Sequence, residues 1–334
     1  MKTIMFAVSV LVGSCANVSF AAIEPMPPAT QVLIQAPIIV YADITDIPGG
    51  QFPNAASTVD GKICRTELAR VGFGIKGSVT NGVVAIRQML DPSLVCGWLS
   101  VDTGKCYVLF LTPATNTAYL EGIDRCVFTL ESDRIAAGQI DNLKTEDALR
   151  LIARVNMAST NERVAFCWTR FLSEVFDKKD EEVFQQQLSS THVNVRGTAI
   201  ATLCKHTVIT PVLSAEAKAF LKTTNSSGTI RYMIAKSLVS QRKCTDEMLR
   251  EWLASGDSYI WHITVRTIED TRNANLLPDL LNYLQHTSNV LHQYNCISAI
   301  NAIDAKNGLP ATDVFVRDPS AYVREVLGRH SAQR

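Results

Sequence analysis

The sequence has no apolar run long enough to cross a bilayer, no surplus of either charge, no Cys-x-x-Cys pair and no histidine before His192. Each absence removes a class. A transmembrane helix needs about 20 consecutive apolar residues, and the longest run, Ile4 to Val12, is under half that length. Thirty-two Lys and Arg balance 32 Asp and Glu, leaving no basic excess for phosphate contacts and excluding a dedicated nucleic-acid binder. Only 19% of the 334 residues are charged and 47% are apolar, too apolar for a disordered chain and enough for a sizeable core in two domains. The histidines form neither His-x-His nor His-Glu-x-x-His, so zinc-ligand spacing is missing and no metal or cofactor is expected.

What is present begins with Lys2 ahead of the Ile4 to Val12 run, the shape of a secretory signal over 1–21. Two processing routes fit. Ser19 and Ala21 are the small residues needed for cleavage after Ala21, and Val12-Gly13-Ser14-Cys15 has the form of a lipobox with lipidation on Cys15. The first route gives a periplasmic or secreted protein and the second a lipid-anchored envelope protein, with no other attachment to the membrane. Either environment permits disulfides. Cys64, Cys96, Cys106 and Cys126 fall in extended segments of one small region and are expected to form two bridges, in one of three connectivities that spacing does not separate. Cys167 and Cys296 sit in apolar stripes of predicted helices, as small buried thiols.

After a linker at 22–31, residues 32–141 read as short β-rich runs, among them Ile38 to Ile44, Cys64 to Ile75, Val83 to Met89, Cys106 to Leu111 and Cys126 to Leu130. Pro48-Gly49-Gly50, Asn81-Gly82, Asp91-Pro92 and Thr103-Gly104 break them, because Gly accepts positive φ and Pro fixes a bend. A small antiparallel β-barrel or sandwich is expected. Gly72, Gly74 and Gly77 spell a phosphate loop, but a strand signal follows where a helix N-terminus would have to hold the phosphate, so these glycines are expected to bend a strand. Asp102-Thr103-Gly104 has no second copy to supply the paired carboxylate of an aspartic protease.

Beyond Asp141 the period becomes helical and the chain repeats. Segments beginning at Arg163, Arg196, Arg231, Trp261, His292 and Arg324 follow one another at 33, 35, 30, 31 and 32 residues. Thr160, Thr191, Ser226, Asp257, Ser288 and Asp318 stand where N-caps are expected, and another amphipathic segment precedes most of them. Helix pairs at this period cannot bury their apolar faces alone, so residues 142–334 are expected to stack as an α-solenoid of about six pairs. Asp318 to Arg324 and Val193 to Arg196 resemble the Val-Arg start of the second helix in HEAT repeats, with Trp261 and His292 in place of Arg in two copies. Ile38 to Thr45, Leu68 to Gly77 and Gly104 to Leu111 resemble the strand blocks of secreted netrin-like barrels of the OB type, without their cysteine at the mature N-terminus.

The fold class is thus multidomain, β followed by all-α. Residues 22–141 carry 8 basic and 12 acidic residues and residues 142–334 carry 23 and 20, opposite net signs that suit a domain contact or a partner. A solenoid offers a groove rather than a closed pocket, so the expected function is non-catalytic binding of a protein or peptide. Arg196, Arg231, Trp261, His262, His292 and Arg324 are the candidate contacts, with Trp252 and Tyr294 as further exposed aromatics. His262 and His292 fall near equivalent places in successive repeats and form a candidate pH-sensitive or metal-binding pair. The HEAT resemblance also admits an enzyme, since such repeats occur in bilin lyases and in a DNA glycosylase family, and the lipobox admits an anchored structural protein of the envelope.

Overall fold

A computed structural model describes residues 34–44, 57–59, 62–77, 83–90, 106–113, 120–130, 139–140, 142–223, 225–309 and 319–332. The signal segment with Cys15, the linker, Cys96, Asp102 and Asp318 lie outside them. The chain forms two units, Met1–Asn156 and Met157–Arg334.

The first unit holds β1 (Ile38–Ile44), β2 (Ser57–Val59), β3 (Lys62–Lys76), β4 (Val83–Leu90), β5 (Cys106–Pro113), β6 (Leu120–Leu130) and α1 (Thr145–Asn156). A strand with one wet face alternates apolar and polar residues. β5 does not: Cys106 through Leu111 are all buried, and in β1 so are Ile39, Val40 and Ala42. β1 pairs on both edges, antiparallel to β3 and to β5. The sheet order is β1-β5-β6-β4-β3-β2, antiparallel except where β4 meets β6 in parallel over two residue pairs, Ile86 with Leu120 and Arg87 with Glu121. That short seam leaves a small sheet rather than a closed barrel.

The glycine-rich stretch is strand, and strand β4 follows it. The β1–β3 register slips twice, leaving Ile75 and Gly72 without a partner on β1. A Cβ on Gly72 would lie 2.9 Å from Cδ1 of Tyr41, and one on Gly77, at φ +80°, would lie 2.6 Å from the Pro37 carbonyl oxygen. These glycines admit a bulge and a tight exit, not a phosphate.

The same register corrects the disulfide expectation. Cys64 lies on β3, Cys106 on β5 and Cys126 on β6. Cys64 is two strands from each of the others, about 9–10 Å. Cys106 faces Leu130 across β5–β6, four residues and about 13 Å from Cys126. A disulfide needs Cα atoms within about 7 Å. Each of the three connectivities joins one of these pairs, so the four cysteines do not form two bridges.

The second unit contains α2 (Glu162–Glu174), α3 (Glu181–Gln187), α4 (Val193–His206), α5 (Pro211–Leu221), α6 (Gly228–Ser240), α7 (Asp246–Ala254), α8 (Ser258–Thr271), α9 (Leu277–His286), α10 (Val290–Lys306) and α11 (Pro319–Ser331). With α1, eleven helices are described. Short first helices alternate with longer second helices, and the second ones pack in chain order: α2 on α4, α4 on α6, α6 on α8, α8 on α10 and α10 on α11. This order is consistent with a helical repeat. At four of the five expected caps that lie among the described residues, the N-cap falls one residue later than expected. Asn161 and Asn289 cap α2 and α10, His192 and Ser227 flank α4 and α6 without a side-chain bond, and only Asp257, at α8, is the residue expected. Asparagine and aspartate carry the acceptor at the reach of the second and third amides.

Side chains clasp one repeat to the next. Gln241 Nε2 donates to the carbonyls of Cys204 (2.7 Å) and Thr207 (3.0 Å), and its Oε1 accepts from the Ile209 amide (3.2 Å). Arg231 Nε donates to Asp257 at 2.7 Å, while its Nη1 donates to the Ser226 and Thr223 carbonyls. The Asn194 carboxamide oxygen accepts from the Ser227 amide, and Asn273 and Asn275 donate to Asp246. Such bonds satisfy the carbonyls and amides that helix ends leave open.

Two outcomes follow. Non-reducing mass spectrometry is expected to find at least two of Cys64, Cys96, Cys106 and Cys126 alkylated, and complete double bridging rejects the register. Gln241→Ala strands two carbonyls and an amide between repeats and is expected to lower unfolding free energy by about 2–3 kcal/mol in urea titration at unchanged m; a loss under about 0.5 kcal/mol removes the clasp as a stabilising element.

Candidate functional site

Second-helix stacking gathers the sequence-expected aromatics, but inside. Trp261 and His292 each sit within the first turn of their helix, just past the caps Asp257 and Asn289, and α8 lies against α10. Their rings stack at 3.8 Å and 17°. Tyr283, on α9, leans on the Trp261 ring at 5.3 Å and places its hydroxyl 2.8 Å from His292 Nδ1. Burial lowers the His292 pKa, and the neighbouring His262 pushes the same way. Burial also raises the Tyr283 hydroxyl. Both shifts favour a neutral pair in which the phenol donates to the imidazole.

Trp261 is 1% exposed and Trp252 6%, so neither presents a surface to a partner. The apolar side of each helix faces the next repeat, and an indole there belongs to the stack. Trp261 Nε1 has no hydrogen-bond partner among the described residues. Tyr294 is half-buried and meets Tyr322 edge-on at 6.5 Å. His262 is exposed. Of the arginine row, Arg163 and Arg324 are exposed, Arg196 is half-buried, and Arg231 is engaged inside the clasp with Asp257, its side chain 14% exposed. The row does not form one stripe.

A different group of residues forms a cleft of about 460 Å³ at the far ends of the second helices. Val239 and Arg242 come from the end of α6, Thr267, Thr271 and Arg272 from the end of α8, and Lys306 from the end of α10. Cys244, Asp246 and Leu249 enter from α7 and the residues before it, and Asn273, Ala274 and Asn275 from the turn before α9. Asp246 accepts from Asn273 Nδ2 at 2.6 Å and Asn275 Nδ2 at 3.0 Å. These two bonds, Asn275 first, hold its carboxyl below the usual range, with help from Arg250. Arg242, Arg272 and Lys306 are exposed around it.

The cleft holds one thiol and no histidine base beside it. Its thiol, Cys244, is pushed up to about 12 by burial, against a smaller opposing pull from Lys218. It therefore stays protonated at neutral pH, and a thiol is a poor nucleophile. No histidine lines the cleft to serve as its base. Among the described residues no group of three or more His, Cys, Asp or Glu is placed to hold a metal ion, and no helix is long and apolar enough to cross a membrane.

None of the cleft cations was singled out by motif. The signal available was positional: Arg242 and Arg272 lie 30 residues apart at successive second-helix ends, where a glycine is the usual residue.

No protein family, curated protein sequence or solved structure matches the chain.

The histidine shifts set an acid limit. A ring whose folded pKa lies below the ordinary 6.5 binds fewer protons in the folded chain than in the unfolded one. Its contribution to stability is complete above pH 6.5 and declines as pH falls toward and through the folded value. His206, stacked on Phe176 at 4.7 Å and partly desolvated there, with Lys205 adding to the effect, is lowered in the same direction. Thermal unfolding is expected to be flat above about pH 7 and to fall below pH 6.5. His292→Phe retains an aromatic ring on Trp261 and is expected to make that acid limb shallower; an unchanged slope rejects the assignment.

Proposed function

We propose that this is an exported, non-catalytic binding protein in which a HEAT-type α-solenoid recognises a protein or peptide partner. The observation that carries the reading is the cleft at the ends of α6, α8 and α10, rimmed by Arg242, Arg272 and Lys306 while its one thiol is held protonated near 12 without a histidine beside it. Charged donors around a shallow, partly apolar recess suit a polar ligand held by hydrogen bonds.

The architecture supports the same reading. Clasps that join residues 26 to 37 apart, such as Arg231 with Asp257 and Gln241 with Cys204, recur at roughly one repeat length, as nearest-neighbour stacking in a solenoid requires. In the first unit, β1 pairs with both β3 and β5, and β4 runs parallel to β6. This near-cyclic order supports a partly open barrel of the OB type. Export, with a periplasmic, secreted or lipid-anchored destination, rests on the signal-like segment 1–21.

The test is affinity capture from the cell envelope with the full mature chain, followed by reconstitution of the captured protein with purified chain in size-exclusion chromatography. A complex of fixed stoichiometry is expected. Failure to form one, or turnover of a small molecule by the purified chain, overturns the reading.

A further inference from the structure

Two non-glycine residues among those described have positive φ, Arg242 at 55° and Arg272 at 50°. Both close a helix in the same way. The Lys243 amide reaches back to the Leu238 carbonyl (2.8 Å) and the Arg242 amide to Val239 (2.9 Å), which is a Schellman motif ending α6. The Asn273 amide reaches Ile268 and the Arg272 amide reaches Glu269, ending α8 likewise. The third copy, at the end of α10, joins Leu309 to Asp304 and Gly308 to Ala305 with glycine at φ +74° in the left-handed place. The turn thus accepts glycine, as it does in most helices, yet at two of the three helix ends that line the cleft an arginine is kept in a conformation a side chain disfavours. A cation in the last helical turn is explained by the helix dipole, and Lys306 fits that account. The dipole does not ask for the strained position itself. Strain of this kind gathers where a side chain serves a site.

We propose that Arg242, Arg272 and Lys306 form a subsite for the carboxylates of an extended acidic peptide. The proposal deepens the binding reading above and rests on it. Neither guanidinium makes a hydrogen bond or ion pair among the described residues, and the one carboxylate in the cleft, Asp246, already accepts on both oxygens from Asn273 and Asn275. The three cations come one from each of three successive second helices. Packed helices stand about 8–10 Å apart, close to one three-residue turn of polyproline II at about 3.1 Å per residue, an extended form that brings every third side chain to the same face. A peptide with a carboxylate near every third residue meets each cation in turn, while Val239 and Leu249 supply apolar wall between them. A single small anion cannot span that spacing. Guanidinium and carboxylate also match as paired donors and acceptors.

The test uses the full chain, with hexaglutamate and hexaglutamine peptides as probes in titration calorimetry at low and high salt. Hexaglutamate is expected to bind, more weakly in high salt, and hexaglutamine is not. Arg242→Gly/Arg272→Gly relieves the backbone while removing both cations. Binding is expected to fall by about tenfold or more while Tm rises by about 2–4 °C. Arg242→Lys/Arg272→Lys is expected to recover part of the affinity. Absence of hexaglutamate binding to the unaltered chain, or undiminished binding to the glycine variant, overturns the subsite. An envelope partner that forms the same complex with the glycine variant also overturns the subsite but leaves the binding reading standing; if no partner binds either chain, both fall.

Discussion

The helical unit depends on one recurring constraint: the polar groups left open at each helix end must be met by the neighbouring repeat. A helix pair cannot bury enough apolar surface by itself, and stacking brings carbonyls and amides of loops into places water reaches poorly. Gln241 meets this by bonding three backbone groups at once, one in the last turn of α4 and two in the loop after it. Arg231 meets it by spanning the α5–α6 loop and the Asp257 cap of α8. The clasp fixes which loop lies beside which helix start, and so fixes where the side chains at the helix ends come to rest. Buried charges of this sort act on register more than on net stability.

That constraint explains why the two ends of the second helices differ in chemistry. At their starts, side chains of one repeat are consumed by the next: Arg231 by Asp257, Trp261 by His292 and Tyr283. At their far ends the turns close through their own backbone, as Schellman motifs, and although Gln241 there reaches the preceding repeat, the Arg242 and Arg272 side chains are left exposed. The recess framed by Arg242, Arg272 and Lys306 lies at the released ends. Residues that look functional because they recur at the repeat period are, at the starts, mostly stacking devices.

The helical repeat and its period were legible because helix pairing imposes a spacing that Arg163, Arg196, Arg231, Trp261, His292 and Arg324 reproduce. Side-chain direction was not legible. Trp261 and His262 are adjacent, yet one is buried and the other exposed, and a ring-bearing residue on a second helix can equally face the next repeat or a groove. Cap positions slipped by one because Thr160 and Ser288 are as good acceptors in isolation as Asn161 and Asn289 beside them. The disulfide expectation failed because spacing along the chain carries neither strand order nor register: the order β1-β5-β6-β4-β3 keeps Cys64 from Cys106 and Cys126, and the β5–β6 register sets Cys106 opposite Leu130 rather than Cys126. The cleft was invisible for a related reason: Arg242 and Arg272 look like ordinary basic residues until their φ values are known.

The last described helix, α11, has one packed side and one solvated side. α11 buries Tyr322 and Val326 toward α10 and anchors Arg329 and His330 on Asp304, at 3.0 and 3.2 Å. Its remaining surface carries Arg324, Glu325, Gly328 and Ser331, all exposed. A stack of repeats is self-similar, and any unit with two sticky faces can recruit another copy and lengthen into a fibre. Here the single apolar stripe of α11 is already committed inward, so its outer side offers water-loving groups where a further repeat would need grease.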